Sequence, residues 1–219
     1  AVFDPAWERR LSGWVDLGGI LVIGARTASK DLNNNVIAEP LPGVLTNLAG
    51  AAVEEYGKQN APDERPLWAA FAGDEVLTQH WYEILRPLEG CEVLATWKSR
   101  HQAGQPAITL HKVGDGYVIY AGTYLTPALL QALLPEIERL RVIPRLWPSA
   151  PESVEVVKRQ DEEREIWFFI NHGDAPVEIE HLPADGSDLL HGGPAEGPLS
   201  LLPNEVAIIQ TARGTTPAF

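Results

Sequence analysis

The stretch GGILVIG, residues 18–24, decides how the first half of the chain is interpreted. Four consecutive apolar residues between glycines are typical of a short strand that a parallel sheet buries on both faces. The preceding segment, residues 5–17, places Trp7, Leu11 and Trp14 at helical spacing, and Asp4 precedes it as an N-cap. The helix, the glycine pair and the strand together predict an α/β unit.

The pattern continues as an alternation of loops, strands and helices as far as residue 140. It predicts a polar loop over residues 26–39, a short helix over 41–48 that ends at Gly50, and an exposed strand over 53–56. A long amphipathic helix is predicted over 127–140, with Thr126 as its N-cap. Between them we predict strands over 67–71, 76–85, 92–97, 107–111 and 117–121, the last two forming a hairpin.

Three prolines indicate a division of the chain. Pro144, Pro148 and Pro151 interrupt regular structure at 145–152, so we predict an α/β domain over 1–147 and a second domain over 148–219. The second domain is expected to be a small antiparallel β-sandwich, because its apolar runs are short and separated by turn-forming residues. Its strands are predicted over 154–158, 165–170, 177–180, 188–190, 199–201 and 205–209.

Composition limits the classes of partner. The 219 residues include 17 Lys and Arg but 30 Asp and Glu, a net charge of −13, which disfavours nucleic acid and anionic membranes. A single cysteine, Cys91, excludes an intrachain disulfide and is compatible with a soluble protein of the reducing cytoplasm. The sequence contains no methionine, even at position 1, so we expect it to be part of a longer protein.

No residues with the spacing of a catalytic or cofactor site are found. The histidines are not paired at spacings that would direct two of them at one metal, and neither a phosphate loop nor a nucleophile elbow occurs. Glu54 and Glu55 fall on opposite faces of a strand, and Cys91 precedes Glu92, which disfavours a thiolate. We therefore expect no catalytic residue, no metal and no cofactor.

The loop at residues 26–35 is the best candidate for a contact site. It follows a buried strand at its carboxyl end, where open α/β sheets place their ligands and contacts. On this ground we predict that Arg26, Lys30, Asp31 and Asn35 lie at a subunit interface or at the rim of a cleft. The alternative is a surface loop that Asx turns and a Lys30–Asp31 pair stabilise.

An ordered set of segments carries a family resemblance: GGILVIGART (18–27), KD (30–31), LPG (41–43), EEY (54–56), EVLAT (92–96), GQPA (104–107) and GYVIYAGT (116–123). In this order they resemble the middle domain of the family-42 glycoside hydrolases, which are β-galactosidases. VEVV (154–157) and FFINH (168–172) resemble the small C-terminal β domain of that family. The resemblance covers about residues 5–211, and its specificity lies in the order of the set.

This resemblance implies an enzyme with an N-terminal (β/α)₈ barrel, a middle α/β domain used for trimerisation and a small antiparallel β domain. The two catalytic glutamates of the family belong to the barrel, which is missing here, so no residue of this chain inherits their roles. The middle domain is similar in fold to class I glutamine amidotransferases, which have a flavodoxin-like or Rossmann-like sheet, but here it is incomplete and lacks their nucleophile elbow. The expected function is subunit assembly of a retaining β-galactosidase as a homo-oligomer, a trimer by resemblance, with the β-galactoside bound only by the barrel.

Two other hypotheses remain open. The chain could be a free-standing amidotransferase-like module that binds a sugar or a protein partner without catalysis, with Trp81 and Trp97 stacking on the ligand. It could also be an enzyme in its own right, which is the least supported hypothesis because no catalytic constellation is found.

Overall fold

The computed structural model describes residues 2–58, 68–70, 75–78, 80–98, 100–141, 146–183, 185–195 and 197–214. The chain divides into two compact units, unit 1 over Ala1–Val142 and unit 2 over Ile143–Phe219. The predicted boundary between residues 147 and 148 lies just beyond this division and stays a proposal. Within the described ranges, no helix is both long enough and apolar enough to cross a membrane.

The described residues of unit 1 form three α-helices and eight strands. A 3-10 turn, Gly43–Leu45, leads directly into its second helix. The elements in chain order are α1 (Ala6–Asp16), β1 (Ile20–Ile23), α2 (Thr46–Ala49), β2 (Ala51–Lys58), β3 (Trp68–Ala70), β4 (Glu75–Leu77), β5 (Trp81–Pro87), β6 (Cys91–Trp97), β7 (Pro106–Val113), β8 (Gly116–Ala121) and α3 (Pro127–Leu140).

The main sheet of unit 1 is mixed, with strand order β1-β8-β7-β6-β3-β4. The β1–β8 pair is parallel and the other pairs are antiparallel, including the predicted β7–β8 hairpin. A separate antiparallel pair joins β2 to β5. The predicted α/β class is confirmed, but β1 lies at the sheet edge with residues 20–22 only half-buried, so burial on both faces was wrong.

The prediction of one continuous strand over residues 76–85 was also wrong. Its first residues belong to β4 in the main sheet, whereas its later residues form β5 in the two-stranded sheet. His80, with φ 67, has a left-handed backbone between the two strands, and this turns the chain out of the first sheet. Of the strand predicted over 67–71, residues 68–70 are found, and the other two lie outside the described residues.

The predicted helix ends are confirmed by their hydrogen bonds. Asp4 Oδ1 accepts from the N–H of Ala6 at 2.9 Å, at the beginning of α1. Thr126 Oγ1 accepts from the N–H of Leu129 at 3.2 Å, and α3 then runs over the predicted residues. Gly50 ends α2 with φ 64, a conformation that glycine adopts without steric strain.

Two hydrophobic clusters cover the faces of the main sheet. On one face α3 packs Leu129 and Leu133 against the strands, and on the other face α1 packs Val15 beside residues of α2. Alternate residues of β8 enter the two clusters, so Ile119 points to the α3 face and Tyr120 to the α1 face. Ala28, in the loop that follows β1, packs into the cluster on the α1 face and so anchors this loop to the sheet.

Unit 2 is a small antiparallel β domain, as predicted. Its strands are β9 (Val154–Gln160), β10 (Arg164–Asn171), β11 (Val177–Ile179), β12 (Ser187–Asp188), β13 (Leu199–Leu201) and β14 (Val206–Ala212). One sheet has the order β12-β14-β10-β9, and β11 pairs with β13 in a second sheet. In the core Trp147 makes edge contacts with Trp167 at 5.2 Å and with Phe169 at 5.6 Å between ring centroids.

Asn171, the last residue of β10, joins the turns of unit 2. Its wholly buried side chain donates from Nδ2 to the carbonyl oxygens of Ala175 (2.9 Å), Leu201 (3.3 Å) and Leu202 (3.0 Å). Its Oδ1 accepts from the N–H of Gly173 at 2.9 Å. One amide side chain therefore satisfies four backbone groups, and only an amide offers both the donors and the acceptor.

Candidate site at the carboxyl end of β1

The loop that follows β1 has a backbone of unusual shape. Arg26 and Ala28 have φ values of 62 and 53, and Asn34 has φ 67. Such left-handed conformations are uncommon for residues other than glycine and are held by the surrounding structure. At Arg26 that support is a hydrogen bond of 2.9 Å from its backbone N–H to Oε1 of Glu83 in β5.

Asp31 and Asn35 stabilise the loop itself. Asp31 Oδ1 accepts from the backbone N–H groups of Asn33 at 2.9 Å and Asn35 at 2.8 Å, and Asn35 Nδ2 donates to Asp31 Oδ2 at 3.2 Å. The backbone N–H of Asn35 is the main group that holds the pKa of Asp31 below its usual range. Lys30 Nζ donates to Asn34 Oδ1 at 2.9 Å. The expected Asx turns are therefore present, and their role at an interface stays a prediction.

The side chain of Arg26, unlike those of Asp31 and Asn35, extends away from the loop and over a pair of aromatic rings. Its Cζ lies 4.8 Å from the ring centroid of Trp81, the first residue of β5. Trp81 stacks on Tyr56 of β2, with 5.3 Å between ring centroids and 16° between ring planes. Tyr56 is 60% exposed. We call Arg26, Trp81 and Tyr56 the aromatic stack. Trp97 lies apart in the core and is 1% exposed, so it offers no ring face to a ligand.

Glu83 lies beneath the aromatic stack and is wholly buried. Its Oε1 accepts from the Arg26 N–H and from Trp81 Nε1 (3.2 Å), and its Oε2 accepts from Tyr120 Oη at 2.7 Å. Burial raises the pKa of Glu83, against the opposing effect of these donors and of the Arg26 charge. Sequence reasoning missed this residue, although a carboxylate inside the apolar strand WYEIL was the available signal.

A cavity of about 440 Å³ opens beside the aromatic stack. All three residues of the stack line it, together with Lys30 and the carboxylates of Glu39 and Glu54. The neighbouring Glu55 is occupied elsewhere, accepting from Tyr82 Oη at 3.1 Å and lying 3.0 Å from His101 Nε2. Aromatic faces and charges of both signs suit this cavity for binding, by stacking and by ion pairing.

The described residues provide no activated group for catalysis. Burial raises the pKa of the Cys91 thiol, and the charge of Glu92 acts in the same direction, so Cys91 is not an activated nucleophile. Three or more potential metal ligands are nowhere grouped together in the described part of the chain. Glu83 has a raised pKa, but three donors already occupy it.

Comparison with known protein families identifies both units. The sequence model of the β-galactosidase trimerisation domain matches residues 2–144, and that of the β-galactosidase C-terminal domain matches residues 153–211. β-Galactosidase LacZ of Heyndrickxia coagulans is 30% identical over 219 aligned positions, which cover 95% of this chain and 32% of that protein. For BgaB of Geobacillus sp. (strain Y412MC61) the identity is 33% over 178 positions, 81% of this chain and 26% of that protein.

Solved structures show the same fold. The β-galactosidase from Bacillus circulans sp. alkalophilus superposes with a TM-score of 0.73 at 23% identity, covering 95% of this chain and 31% of that one. For the β-galactosidase from Rahnella sp. R3 the TM-score is 0.68 at 23% identity, and the match covers 96% of this chain and 31% of that one. The chain thus spans about a third or less of the length of these relatives. Since both family models match in order, the chain belongs to the family-42 β-galactosidases and consists of a trimerisation domain followed by a C-terminal domain.

Proposed function

We propose that this chain is the non-catalytic C-terminal region of a β-galactosidase and that its main role is to assemble subunits into a homotrimer. The observation that carries the proposal is the match of residues 2–144 to a trimerisation domain. In the parent enzyme, hydrolysis of terminal β-D-galactosides would belong to a barrel outside this sequence. A cytoplasmic location is part of the same proposal.

Within unit 1, the loop at residues 26–35 and the aromatic stack are the proposed subunit contact, or the rim of a neighbouring active site. Arg26 and Lys30 line the cavity, where they can pair with carboxylates of a second subunit. Nearby apolar side chains are open to solvent, with Leu32 64% exposed and Val36 76% exposed. Covering them on association would remove apolar surface from water, which favours the bound state.

The proposal is tested by the mass of the chain in solution. Light scattering on the 219-residue chain is expected to give about three times 24.0 kDa, and the chain is expected to hydrolyse no aryl galactoside. A mass of 24.0 kDa at every concentration would refute assembly by this region. Hydrolysis by the chain would refute the non-catalytic assignment. The intact mass of the polypeptide in its native source separates a region of a longer enzyme from a free-standing module.

Loss of the cations of the loop is expected to weaken association. The double variant Arg26→Ala, Lys30→Ala should raise the dissociation constant of the oligomer about tenfold or more, equal to about 1.4 kcal/mol. Alanine does not relieve or worsen the left-handed backbone of Arg26, so the change is confined to the side chains. Sedimentation velocity provides the measurement. The matched control is Lys112→Ala, which removes an exposed lysine of β7 and should leave the constant unchanged.

A sugar-binding module is the second candidate, and the exposed ring of Tyr56 favours it. Tyr56 presents aromatic surface next to the carboxylates of Glu39 and Glu54, and pyranose rings are bound by such combinations of stacking and hydrogen bonding. Titration of the chain with galactose and lactose, followed by tryptophan fluorescence, tests this function. Saturable binding by a monomer would support it, whereas an unchanged signal would exclude it.

A further inference from the structure

We infer that Glu83 is the positioning residue of the aromatic stack, which it holds through hydrogen bonds from three separate parts of unit 1. The inference rests on the proposed function only in assigning the stack to a subunit contact. The geometric part, that Glu83 orients Arg26 and Trp81, stands on the structure of unit 1 alone.

The first bond fixes the turn at Arg26. A left-handed backbone is strained for a residue other than glycine, so this turn requires a specific partner. Glu83 Oε1 supplies it, 2.9 Å from the Arg26 N–H. Because this turn determines where the Arg26 side chain leaves the backbone, the bond also determines that the guanidinium lies over Trp81.

The second bond fixes the plane of the Trp81 ring. The same Oε1 accepts from Trp81 Nε1 at 3.2 Å, and the Trp81 carbonyl accepts from Thr123 Oγ1 at 2.8 Å. Backbone and indole are thus both held, so the ring has a single orientation in which Tyr56 stacks on it. One oxygen atom of Glu83 therefore positions two of the three members of the stack.

The third bond joins the carboxyl group to the core. Tyr120 of β8 is wholly buried beside α1 and α2, and its hydroxyl donates to Glu83 Oε2 at 2.7 Å. The Glu83 backbone is held as well, because its N–H donates to Gly122 O at 2.6 Å and its carbonyl accepts from Trp97 Nε1 at 3.0 Å. Both the side chain and the backbone of Glu83 are therefore held by hydrogen bonds to the core of unit 1.

This geometry makes a distinct prediction for glutamine and alanine. In Glu83→Gln, the amide oxygen can accept from Arg26 and Trp81 while the amide nitrogen donates to the oxygen of Tyr120. All three contacts survive without a charge. In Glu83→Ala, the three donors lose their acceptor and the indole is released. A side chain that merely filled space would not distinguish the two variants in this way.

The experiment follows the Trp81 indole N–H by ¹⁵N NMR in the whole chain, with the signal assigned through Trp81→Phe. The Glu83→Gln variant should keep the solvent protection of this signal, with a smaller change of position than in Glu83→Ala because only the charge of the acceptor differs, and should associate within about twofold of the parent. The Glu83→Ala variant should shift the signal, lose at least tenfold in protection and associate at least tenfold more weakly. Leu129→Ala, a core change on the other face of the sheet, is the control and should leave the signal in place.

The inference is overturned if Glu83→Ala leaves the indole signal unchanged, or if Leu129→Ala shifts it equally. Should the alanine variant fail to fold, Tyr120→Phe provides the test, because it removes one of the three bonds and should alter the indole signal partially. An unaltered signal in that variant would count against the inference. If the parent chain is a monomer, the proposed function fails, while the NMR comparison still decides whether Glu83 positions the stack.

Discussion

Asn171→Asp is expected to destabilise unit 2 more than Asn171→Ala does, although aspartate is nearly isosteric with asparagine. Aspartate at neutral pH has no donor, and it directs negative oxygens at the carbonyls of Ala175, Leu201 and Leu202. Alanine removes the side-chain donor from these carbonyls but adds no repulsion, and the Leu202 carbonyl keeps the N–H of Glu205 at 3.1 Å. Each buried polar group without a partner costs about 1–3 kcal/mol. We therefore expect the free energy of unfolding of unit 2 to fall by about 3 kcal/mol in the alanine variant and by more in the aspartate variant.

Calorimetry measures the loss of unfolding free energy in each variant. Hydrogen exchange of the amides in β9, β10 and β14 shows whether that loss belongs to unit 2. Protonated aspartate regains one donor, so the difference in stability between the aspartate and alanine variants should narrow as the pH falls. The control is Gln160→Ala, which removes an exposed amide side chain at the end of β9 in the same unit. An aspartate variant as stable as the parent would show that the side chain of Asn171 does not hold these turns together.

Glu83→Gln is expected to raise the melting temperature of unit 1 at pH 7.5, and this advantage should disappear in acid. Burial raises the pKa of Glu83 in the folded chain, whereas the unfolded chain has the ordinary value of about 4.3. Between these values the folded state binds a proton that the unfolded state has lost, so the parent loses stability as the pH rises. Glutamine has no charge to bury, so the stability of the variant does not fall in this way as the pH rises.

The sign of this effect depends on the balance of groups around Glu83. Desolvation raises its pKa, whereas Tyr120, the Arg26 N–H and Trp81 lower it, as does the Arg26 charge. Thermal unfolding of parent and variant between pH 4 and 8 measures the difference, with about 2–4 °C expected for each kcal/mol. Arg26→Gln should enlarge it by removing the attractive charge. A glutamine variant less stable than the parent at neutral pH would mean that the charged form is the stabilised one.

Local sequence signals predicted most of the elements, because caps and periodicity act over a few residues. Thr126 with its apolar helix face predicted α3, and the glycine-bounded apolar run predicted β1. The edge position of β1 and the break between β4 and β5 could not be predicted, since both depend on pairing with distant strands. Residues 76–85 contain no glycine or proline that would mark a turn, yet His80, with φ 67, has a left-handed backbone between the two strands.

The role of the loop at residues 26–35 at an interface or a cleft rim stays a prediction. Two of its four named residues, Arg26 and Lys30, line the cavity. Trp81 was named from the sequence as a residue that could stack on a ligand, but its partner Tyr56 was not, because Tyr56 lies in β2 and Trp81 in β5, and these strands meet only in the fold. A single glutamate in an apolar strand was visible in the sequence, but its three donors were not, because Arg26 and Tyr120 lie 57 and 37 residues away.

The edge position of β1 has a consequence for the rate at which its amide protons leave the chain. Tyr117 N–H donates to Gly19 O and Ala25 N–H donates to Thr123 O, which sets the ladder so that the N–H groups of odd-numbered residues face β8. Those of Ile20 and Val22 then point away from the only strand paired with β1 in the described part of the chain. Neighbouring amides of one short strand should therefore exchange with deuterium at alternating slow and fast rates. An additional strand paired at this edge would make the amide protons of all four β1 residues exchange slowly.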